Sequence, residues 1–358
     1  MRRLRSLFLT AILVTTATPR PALAWGEQGH LTICEVAYRN LTMLANSAVD
    51  DLLNAHTGGI HFPRKSSPRG STAARYYTVF NKGCLEEDTR PRKHSSQHFI
   101  NVARDTTAIA GNTCPPRDPN ESALTNCILN GIKEQFDVLR DPTKSQRDRV
   151  EALMGLGHWI GDIHQPLHVS FDDDAGGNGI KVRFMPPGAG RAKCGTSGER
   201  PTKLHAVWDG CLLQAGLFEK VRQSAPYKSA VARGRPWAPQ SVIYAAATDL
   251  KQRTTVVEER VWIATEPWQW AQESYEKTLE PATLYCEMVG TECRYSATLA
   301  TLPSGPAQNA AIKTVEIDQP YIDANAPYVE ERVRKAGHRL AHMINLALDP
   351  NYRGPVQN

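Results

Sequence analysis

The stretch GHWIGDIHQPLHV, residues 157–169, decides how the rest of the chain is interpreted. In and before it, apolar residues recur at the spacing of one helix face, at Val150, Leu153, Leu156, Ile160 and Ile163. Pro166 closes this pattern, so we predict a helix that ends before the proline. His158 and Asp162 are four residues apart and project from one face of a helix, where they can hold one metal ion. His168 lies beyond the proline and is free to turn toward a second ion.

Other segments repeat this combination of imidazole and carboxylate. Downstream, KLHAVWDG places His205 and Asp209 four residues apart, and upstream GCLEEDTRP offers Asp88 and SSQHFIN offers His98. Imidazole and carboxylate are ligands that zinc accepts. A single histidine of this kind is as often a core or surface residue as a ligand. Two H-x-x-x-D pairs with a third histidine between them predict a metal centre.

The remaining histidines give weaker signals. His164 is open to two interpretations, as a partner of a metal ligand or as a part of the turn. Five others have no carboxylate at ligand spacing, and we predict that they are exposed to solvent: His56, His61, His94, His338 and His342.

The amino terminus has the composition of a secretory signal peptide. Three arginines precede an apolar run over residues 7–14 and an Ala-Leu-Ala site at residues 22–24. The run is too short to cross a bilayer, and no later stretch approaches the roughly 20 apolar residues that a spanning helix needs. We therefore predict a signal peptide over residues 1–24 and a secreted or periplasmic domain over residues 25–358. This domain would begin at Trp25 and have no membrane anchor.

The charge of the chain argues against a broad nucleic-acid-binding surface. The whole chain has 42 basic and 37 acidic residues, a net charge of +5, but four of the arginines belong to the predicted leader. Without the leader the net charge is +1. A nearly neutral chain lacks the basic footprint of a protein that coats DNA, so any nucleic-acid binding must depend on a local site.

The eight cysteines all follow the predicted leader, and an even number in an oxidising compartment predicts disulfides. Zinc-thiolate sites are the alternative, but the chain has no C-x-x-C motif. Proximity in the sequence suggests three pairs and leaves two cysteines over: Cys114 with Cys127, Cys194 with Cys211, and Cys286 with Cys293, leaving Cys34 and Cys84.

The fold class follows from the periodicity of the remaining segments. Helical patterns extend over residues 328–348 and over residues 264–279, where the helix should begin at Glu266. Strand-like alternation is clearest in GIKVRF, residues 179–184. Three segments rich in Gly, Pro, Ser, Thr and Arg are predicted to be loops: residues 64–75, 105–122 and 186–203. We predict a single, mostly α-helical domain with long loops and a short β-hairpin at most.

A series of motifs together resembles the S1/P1 nuclease family, which is related to bacterial zinc-dependent phospholipase C. In order, they are WGEQGH after the leader, EED followed by HFIN, GHWIGDIHQPLHV, GGNGIKVRF, LHAVWD and the helix RVRKAGHRLAHMINLAL. They extend from residue 25 to residue 348. The resemblance implies a mostly helical fold around three zinc ions.

The resemblance also implies which residues hold these ions. The ligand sets would be the α-amino and carbonyl groups of Trp25 with His30 and Asp162; Asp88, His98, His158 and Asp162; and His168, His205 and Asp209. Asp162 would therefore bridge two ions. Because the amino group of Trp25 becomes free only when the leader is removed, export and metal loading would be coupled.

The activity that the resemblance implies is hydrolysis of single-stranded DNA or RNA by a zinc-activated water, with Asp88 as the catalytic residue and 5′-phosphorylated products. A 3′-nucleotidase activity is its usual companion. The candidate substrate-binding residues are Phe99 for base stacking, Asn101 for a base edge, Asn178 for orienting the site, and Arg90 for phosphate. Each has a simpler interpretation, such as a core phenylalanine, a turn or a solvated charge.

Two other functions are compatible with the same residues. The first is a phospholipase C-like phosphodiesterase that cleaves lipid head groups, although no apolar lipid-docking run is evident. The second is a secreted binding protein without catalysis, which would require at least one missing ligand, and none is missing. We expect the protein to act as a monomer.

Overall fold

The computed structural model describes residues 25–54, 80–88, 94–114, 127–185, 203–286, 288–290, 292–293 and 314–354. The predicted signal peptide, the predicted loop at residues 64–75 and nearly all of the one at residues 186–203 lie outside these ranges.

The described residues are mostly helical, as predicted. The helices are α1 (Glu27–Tyr38), α2 (Met43–Asn54), α3 (Ile128–Arg140), α4 (Gln146–Asp162), α5 (Leu204–Ala206, Val207–Cys211, Gln214–Phe218 and Glu219–Gln223 in one continuous stretch), α6 (Ala225–Ala232), α7 (Pro239–Gln252), α8 (Val256–Ile263), α9 (Pro267–Leu279) and α10 (Gln319–Leu348). Short 3₁₀ turns cover Glu86–Asp88, Ser95–His98, Pro166–His168 and Pro281–Thr283. None of the described helices has the length and apolar content needed to cross a bilayer.

The described strands form three pairs of two. They are β1 (Ile100–Val102), β2 (Val169–Phe171), β3 (Lys181–Phe184), β4 (Met288–Val289), β5 (Glu292–Cys293) and β6 (Thr314–Ile317). Strands β1 and β2 are parallel, as are β3 and β6, whereas β4 and β5 form a small antiparallel hairpin. The predicted strand at residues 179–184 is thus present as β3. The β1–β2 pair matters most here, because β1 begins two residues after His98 and β2 begins directly after His168, so the pairing brings both histidines to one place.

Helix α4 lies at the centre of the fold, where it packs against α1, α3 and α10. The Ser145 hydroxyl caps its first turn by accepting a hydrogen bond from the backbone amide of Asp148. All five aliphatic residues of its predicted stripe are fully buried. Each such burial stabilises the fold by roughly 1.5–3 kcal/mol. The helix ends at Asp162, before Pro166, as predicted.

Two glycines of α4 allow its neighbours to approach. A Cβ on Gly161 would lie 2.7 Å from the Nδ1 atom of His30, and a Cβ on Gly157 would lie 2.7 Å from the Sγ atom of Cys84. Real Cβ atoms are not found so close to other heavy atoms. Glycine at these two positions therefore allows α1 and the Cys34–Cys84 disulfide to pack directly on the helix.

Three disulfides occur in the described residues. Cys114–Cys127 and Cys286–Cys293 match the pairs that proximity suggested, and the two cysteines left over form the third, Cys34–Cys84. Cys211 is also disulfide-bonded. Its predicted partner, Cys194, lies outside the described residues.

A buried ion network holds α10 against α9 and against the turn after α4. Arg332 and Arg339 are fully buried on α10, and both donate hydrogen bonds to the carboxylate of Glu273 on α9. Arg339 also donates to the Nε2 atom of His164 at 2.9 Å, and the Nε atom of Arg332 donates to the His164 carbonyl at 3.2 Å. Burial, Arg332 and Arg339 hold the pKa of His164 well below its ordinary value. His164 therefore links the turn to this network.

The prediction that the remaining histidines are exposed is wrong for His338, which is 3% exposed and pairs with Glu259 at 3.1 Å. His94 is partly buried and pairs with Glu87 at 3.0 Å. In both cases the carboxylate comes from another segment of the chain, which helical spacing cannot reveal. His342 is partly buried, while His56 and His61 lie outside the described residues.

Candidate metal centre

The buried carboxylate of Asp162, the last residue of α4, lies among imidazole rings from three other segments. Its Oδ1 atom is 3.1 Å from the Nε2 atom of His30 on α1. Its Oδ2 atom is 3.0 Å from the Nδ1 atom of His98, 3.3 Å from the Nε2 atom of His158 and 3.8 Å from the Nδ1 atom of His168. The two oxygens thus face different histidines, which is the arrangement that a bridging ligand requires.

The residues predicted for the first two ions lie around this carboxylate in two overlapping clusters. One cluster contains His30, Asp88 and His158, and the other contains His98, His158 and Asp162. The rings of His30 and His158 are stacked with their centroids 4.1 Å apart. The Oδ1 atom of Asp88 is 3.9 Å from the Nε2 atom of His158. Five of the predicted ligands are therefore close enough to hold metal ions together.

The third cluster, His168, His205 and Asp209, gives the clearest indication of a cation. The Nδ1 atom of His168 donates to the His98 carbonyl at 2.5 Å, and that of His205 donates to the Gly176 carbonyl at 2.6 Å. In the neutral rings the Nε2 atoms then carry lone pairs, and these two atoms face each other at 3.1 Å. Two nitrogens on one tetrahedral zinc would be about 3.3 Å apart, from a bond length of about 2.05 Å. The donors fit such an ion.

The Oδ1 atom of Asp209 completes this cluster, 3.5 Å from the Nε2 atom of His205 and 4.0 Å from that of His168. Asp209 lies in the π-helical segment Val207–Cys211 of α5, whereas the spacing predicted an ordinary α-helix. π-helical turns are often found at functional sites. The wider turn still leaves the two side chains on the same face of the helix.

Backbone carbonyls orient the candidate ligands. Besides the two donors above, the Nδ1 atom of His158 donates to the Cys84 carbonyl at 2.7 Å. Each of these bonds fixes the tautomer and leaves Nε2 free toward the centre, the usual role of groups that surround a metal site. The acceptor for His158 belongs to the Cys34–Cys84 disulfide, so this covalent bond supports the ring.

The pKa values of most of these groups favour the protonation states in which they can bind a metal ion. Burial lowers the pKa of His30, of His168 and of His205, the last to about 3, so their neutral rings can donate lone pairs. Burial also opposes ionisation of Asp162, but His158, His168 and His30 together outweigh it and hold the pKa of Asp162 well below its ordinary value. His158 is different, because Asp162 and Asp88 overcome burial and raise its pKa to about 9. A metal ion would displace that proton.

Trp25, the first residue after the predicted leader, is buried at this centre. Its indole nitrogen donates a hydrogen bond to the Gly161 carbonyl at 2.7 Å, beside Asp162. A Cβ on Gly26 would lie 3.7 Å from the carbonyl oxygen of Asp209. The start of the described chain is thus packed between the last turn of α4 and the ligand-bearing part of α5.

The predicted substrate-binding residues differ in their placement. Phe99 is 38% exposed next to His98, and Asn101 is exposed two residues later on β1, whereas Ile100 between them is buried. Asn178 donates a hydrogen bond to the Ala175 carbonyl at 2.8 Å, so its amide shapes its own turn. Arg90 lies outside the described residues.

Some residues at the centre were missed from the sequence. Gln165 donates from Nε2 to the Oδ1 atom of Asp209 at 2.7 Å, while its Oε1 atom accepts from the backbone amide of Leu167. The Glu87–His94 pair lies next to Asp88, and the ring of His94 packs edge-on against Trp159. The position of Gln165 inside the metal motif could have indicated its role. The Glu87–His94 pair gave no such signal.

The chain is similar to known nucleases over most of its length. A family model described as S1/P1 Nuclease matches residues 25–349. The chain is similar to Endonuclease 3 of Arabidopsis thaliana, with 26% identity over 95% of this chain and 94% of that protein. It is also similar to Nuclease P1 of Penicillium citrinum, with 26% identity over 90% of this chain and 97% of that protein. Nuclease S1 of Aspergillus oryzae is 23% identical over 93% of this chain and 94% of its own length.

Proposed function

This chain belongs to the S1/P1 nuclease family and is a hydrolase of ester bonds in nucleic acids, and we propose that its buried His/Asp centre holds three zinc ions. With them it would cleave single-stranded DNA and RNA to 5′-phosphorylated products and remove phosphate from 3′-nucleotides. The observation that carries the proposal is the pair of imidazole Nε2 atoms of His168 and His205, which face each other at 3.1 Å beside Asp209.

The residues that would hold zinc are the nine predicted ones, taken as three sets. They are Trp25, His30 and Asp162; Asp88, His98, His158 and Asp162; and His168, His205 and Asp209. The third set coincides with one of the clusters described above, whereas Asp88 lies in a cluster with His30 and His158. When bound, zinc supplies a Lewis acid for phosphate oxygens and lowers the pKa of a water from 15.7 to about 7. The sets contain only three carboxylates, so the loaded centre would keep a positive charge that attracts a phosphodiester.

Asp88 is the candidate catalytic residue among these ligands. Its side chain is 10% exposed, whereas those of His158 and Asp162 are fully buried, so Asp88 lies nearest the surface of its cluster. A carboxylate at that position can accept a hydrogen bond from the attacking water, orient it in line with the phosphorus atom and take its proton. No protein nucleophile is needed for this reaction.

Phe99 and Asn101 would select single strands. Phe99 lies in extended backbone directly before β1 and Asn101 lies on β1. Both side chains are exposed and separated by one buried residue, so they project on the same side, next to His98. An aromatic ring in this position can stack on a base only if the base has left the duplex stack, which favours single-stranded substrate. The amide of Asn101 can both donate to and accept from a base edge.

Trp25 would contribute its α-amino and carbonyl groups after removal of the leader, in an exported protein. Its burial beside Gly161 and the disulfides support this role. An uncleaved extension of one or two residues before Trp25 should sharply lower zinc content and activity. The control is the same extension added after the last residue. Full activity with an intact amino-terminal extension would remove Trp25 from the ligand set.

The proposal is tested by product analysis with the mature protein, with and without a chelator. We expect chelator-sensitive release of 5′-phosphorylated products from single-stranded DNA and RNA, and phosphate release from a 3′-nucleotide but not from a 5′-nucleotide. Asp88→Asn should lower kcat at least 100-fold, whereas Glu86→Gln in the same turn should not. Phosphocholine release from phosphatidylcholine without cleavage of nucleic acid would instead support the phospholipase C-like alternative.

A further inference from the structure

We propose that Asp174 is a positioning residue for the third metal cluster. It would act by holding the turn at residues 172–179, whose Gly176 carbonyl orients the ring of His205. The inference rests on the zinc centre proposed above.

The turn has an unusual backbone. Three successive residues, Ala175, Gly176 and Gly177, have φ values of 53°, 64° and 77°. This left-handed region is unfavourable for residues with a Cβ atom, at a cost of roughly 1–2 kcal/mol for alanine. A Cβ on Gly176 would also lie only 2.2 Å from the Leu167 carbonyl oxygen. A conformation of this kind persists only where surrounding contacts impose it.

Asp174 provides those contacts from inside the protein, where its residue is 4% exposed. Its Oδ1 atom accepts hydrogen bonds from the Gly177 backbone amide at 2.8 Å and from the Tyr285 hydroxyl at 2.6 Å. Its Oδ2 atom accepts from the Arg104 guanidinium at 2.6 Å. The carboxylate therefore closes the turn on itself and also attaches it to two side chains from distant segments.

Further contacts hold Arg104 in place. The Arg104 guanidinium packs on the rings of Phe171 and Tyr285, 4.3 Å and 5.8 Å from their centroids, and it also binds both carboxylate oxygens of Asp173. Burial raises the pKa of Asp174, but the carboxylate lies against the Arg104 cation, so replacing the carboxylate leaves that cation less well paired. The pair is therefore a fixed support for the turn.

One hydrogen bond connects the turn to the candidate ligand His205. The Gly176 carbonyl accepts the Nδ1 hydrogen of His205 at 2.6 Å. This bond fixes the tautomer and directs the Nε2 atom toward His168 and Asp209. If the turn relaxes, the carbonyl moves and His205 loses the group that orients it, while His158 keeps its hydrogen bond to the Cys84 carbonyl.

The test is zinc binding by Asp174→Asn, compared with Asp173→Asn as the matched control. Asparagine keeps the size of the side chain and one acceptor, whereas the control removes a neighbouring charge from the same arginine. Zinc per chain is measured by elemental analysis after equilibration in zinc buffers of defined free concentration. Thermal unfolding and the visible spectrum of the Co²⁺-substituted proteins are recorded in parallel.

We expect wild type and Asp173→Asn to bind three ions, and Asp174→Asn to bind one of the three about 10- to 100-fold more weakly. The Co²⁺ absorption of that one site should change, and excess zinc should restore kcat. Tyr285→Phe, which removes only one hydroxyl donor, should shift the same site in the same direction by a smaller factor.

Two results would overturn the inference. One is that Asp174→Asn binds each of the three ions as tightly as Asp173→Asn does. The other is loss of all three ions together with a lower melting temperature, which would make Asp174 a general stabiliser of the fold. If wild type itself binds fewer than three ions, the proposed centre fails, and this outcome is distinguishable from failure at Asp174 alone.

Discussion

The two oxygens of the Asp162 carboxylate face different candidate ligands. Its Oδ1 atom faces His30, and its Oδ2 atom faces His98 and His158 within 3.3 Å. An asparagine at this position would keep the shape but would lose the charge and replace one acceptor oxygen with a donor. The substitution should therefore weaken the binding of two ions.

Asp162→Asn is predicted to lose at least two of three zinc ions, because one carboxylate serves both ions of the first two clusters. Asp209→Asn is the matched control, since Asp209 belongs only to the third cluster and its loss should release one ion. Zinc per chain after gel filtration is the measurement. Release of a single ion from both variants would argue against bridging by Asp162.

Phe99→Ala is predicted to raise KM for a single-stranded oligonucleotide at least 5-fold, because stacking of a base on an aromatic ring contributes about 1–3 kcal/mol. The KM for a small phosphodiester without a base should stay within twofold. Phe136→Ala on α3 is the control for a partly buried phenylalanine away from β1. Equal changes in both substrates would mean that Phe99 serves packing alone.

At the residue scale, the sequence indicates a candidate ligand when its partner lies at helical spacing. His158 with Asp162 and His205 with Asp209 were found in this way, and each pair does share a cluster. Asp174, Arg104 and Glu273 were not found. Their hydrogen-bonding side-chain partners described above lie 59 to 111 residues away in the sequence, so only the folded chain brings them together.

At the element scale, the Cys34–Cys84 disulfide links two segments that carry candidate ligands, and the Cys84 carbonyl contacts a third. Cys34 lies one helical turn after His30 on α1, and Cys84 lies four residues before Asp88. The Cys84 carbonyl also accepts the Nδ1 hydrogen of His158 on α4. The bond between the two sulfurs is therefore part of the support of the first cluster.

The double variant Cys34→Ser/Cys84→Ser is predicted to weaken zinc binding at the first two clusters at least 10-fold. The control is Cys114→Ser/Cys127→Ser, which removes a disulfide that closes 13 residues instead of 50. Loss of either disulfide should destabilise the fold by about 2–5 kcal/mol. The two double variants should therefore differ in zinc affinity rather than in stability. Equal zinc affinity in both would limit the role of Cys34–Cys84 to stability.

The elements themselves were largely predictable. Helix α4, helix α9 and the part of α10 from residue 328 follow from apolar periodicity, with Pro166 and Pro267 marking one end of each of the first two. The first nine residues of α10 were missed, because this helix begins at Gln319 and continues through Pro327. The parallel pairs β1–β2 and β3–β6 did not follow, because their partners come from segments about 70 and 130 residues apart. The π-helical turn around Asp209 was also missed, since a single turn of that kind leaves no recognisable pattern.

At the scale of the whole molecule, the buried ion network connects α9 and α10 to the turn that follows α4. Arg332 and Arg339 are buried, and Glu273 is the carboxylate that both contact. Burial opposes ionisation of Glu273, but the hydrogen bond from Arg339 and the charge of Arg332 outweigh it and lower the pKa to about 2. The ionised carboxylate therefore stabilises the folded state.

Glu273→Gln is predicted to lower the free energy of unfolding by about 2–4 kcal/mol at pH 7, because it leaves buried arginines without their carboxylate. The folded-state pKa lies below the ordinary value of 4.5, so this difference should be complete above pH 4.5 and shrink as the pH falls toward 2. Urea unfolding at several pH values measures it. The exposed neighbour Glu276→Gln should change stability by less than about 0.5 kcal/mol, and a pH-independent difference for Glu273→Gln would contradict this assignment.

We propose that the His/Asp centre hydrolyses nucleic acid with bound zinc. The most direct measurement removes metal from the mature protein and titrates zinc back, recording zinc per chain and cleavage of single-stranded DNA at each point. We predict no cleavage without metal, recovery only as the centre fills, and a plateau at three ions per chain. Full cleavage by protein that contains no zinc, or a plateau with no ion bound at His168, His205 and Asp209, would contradict the claim.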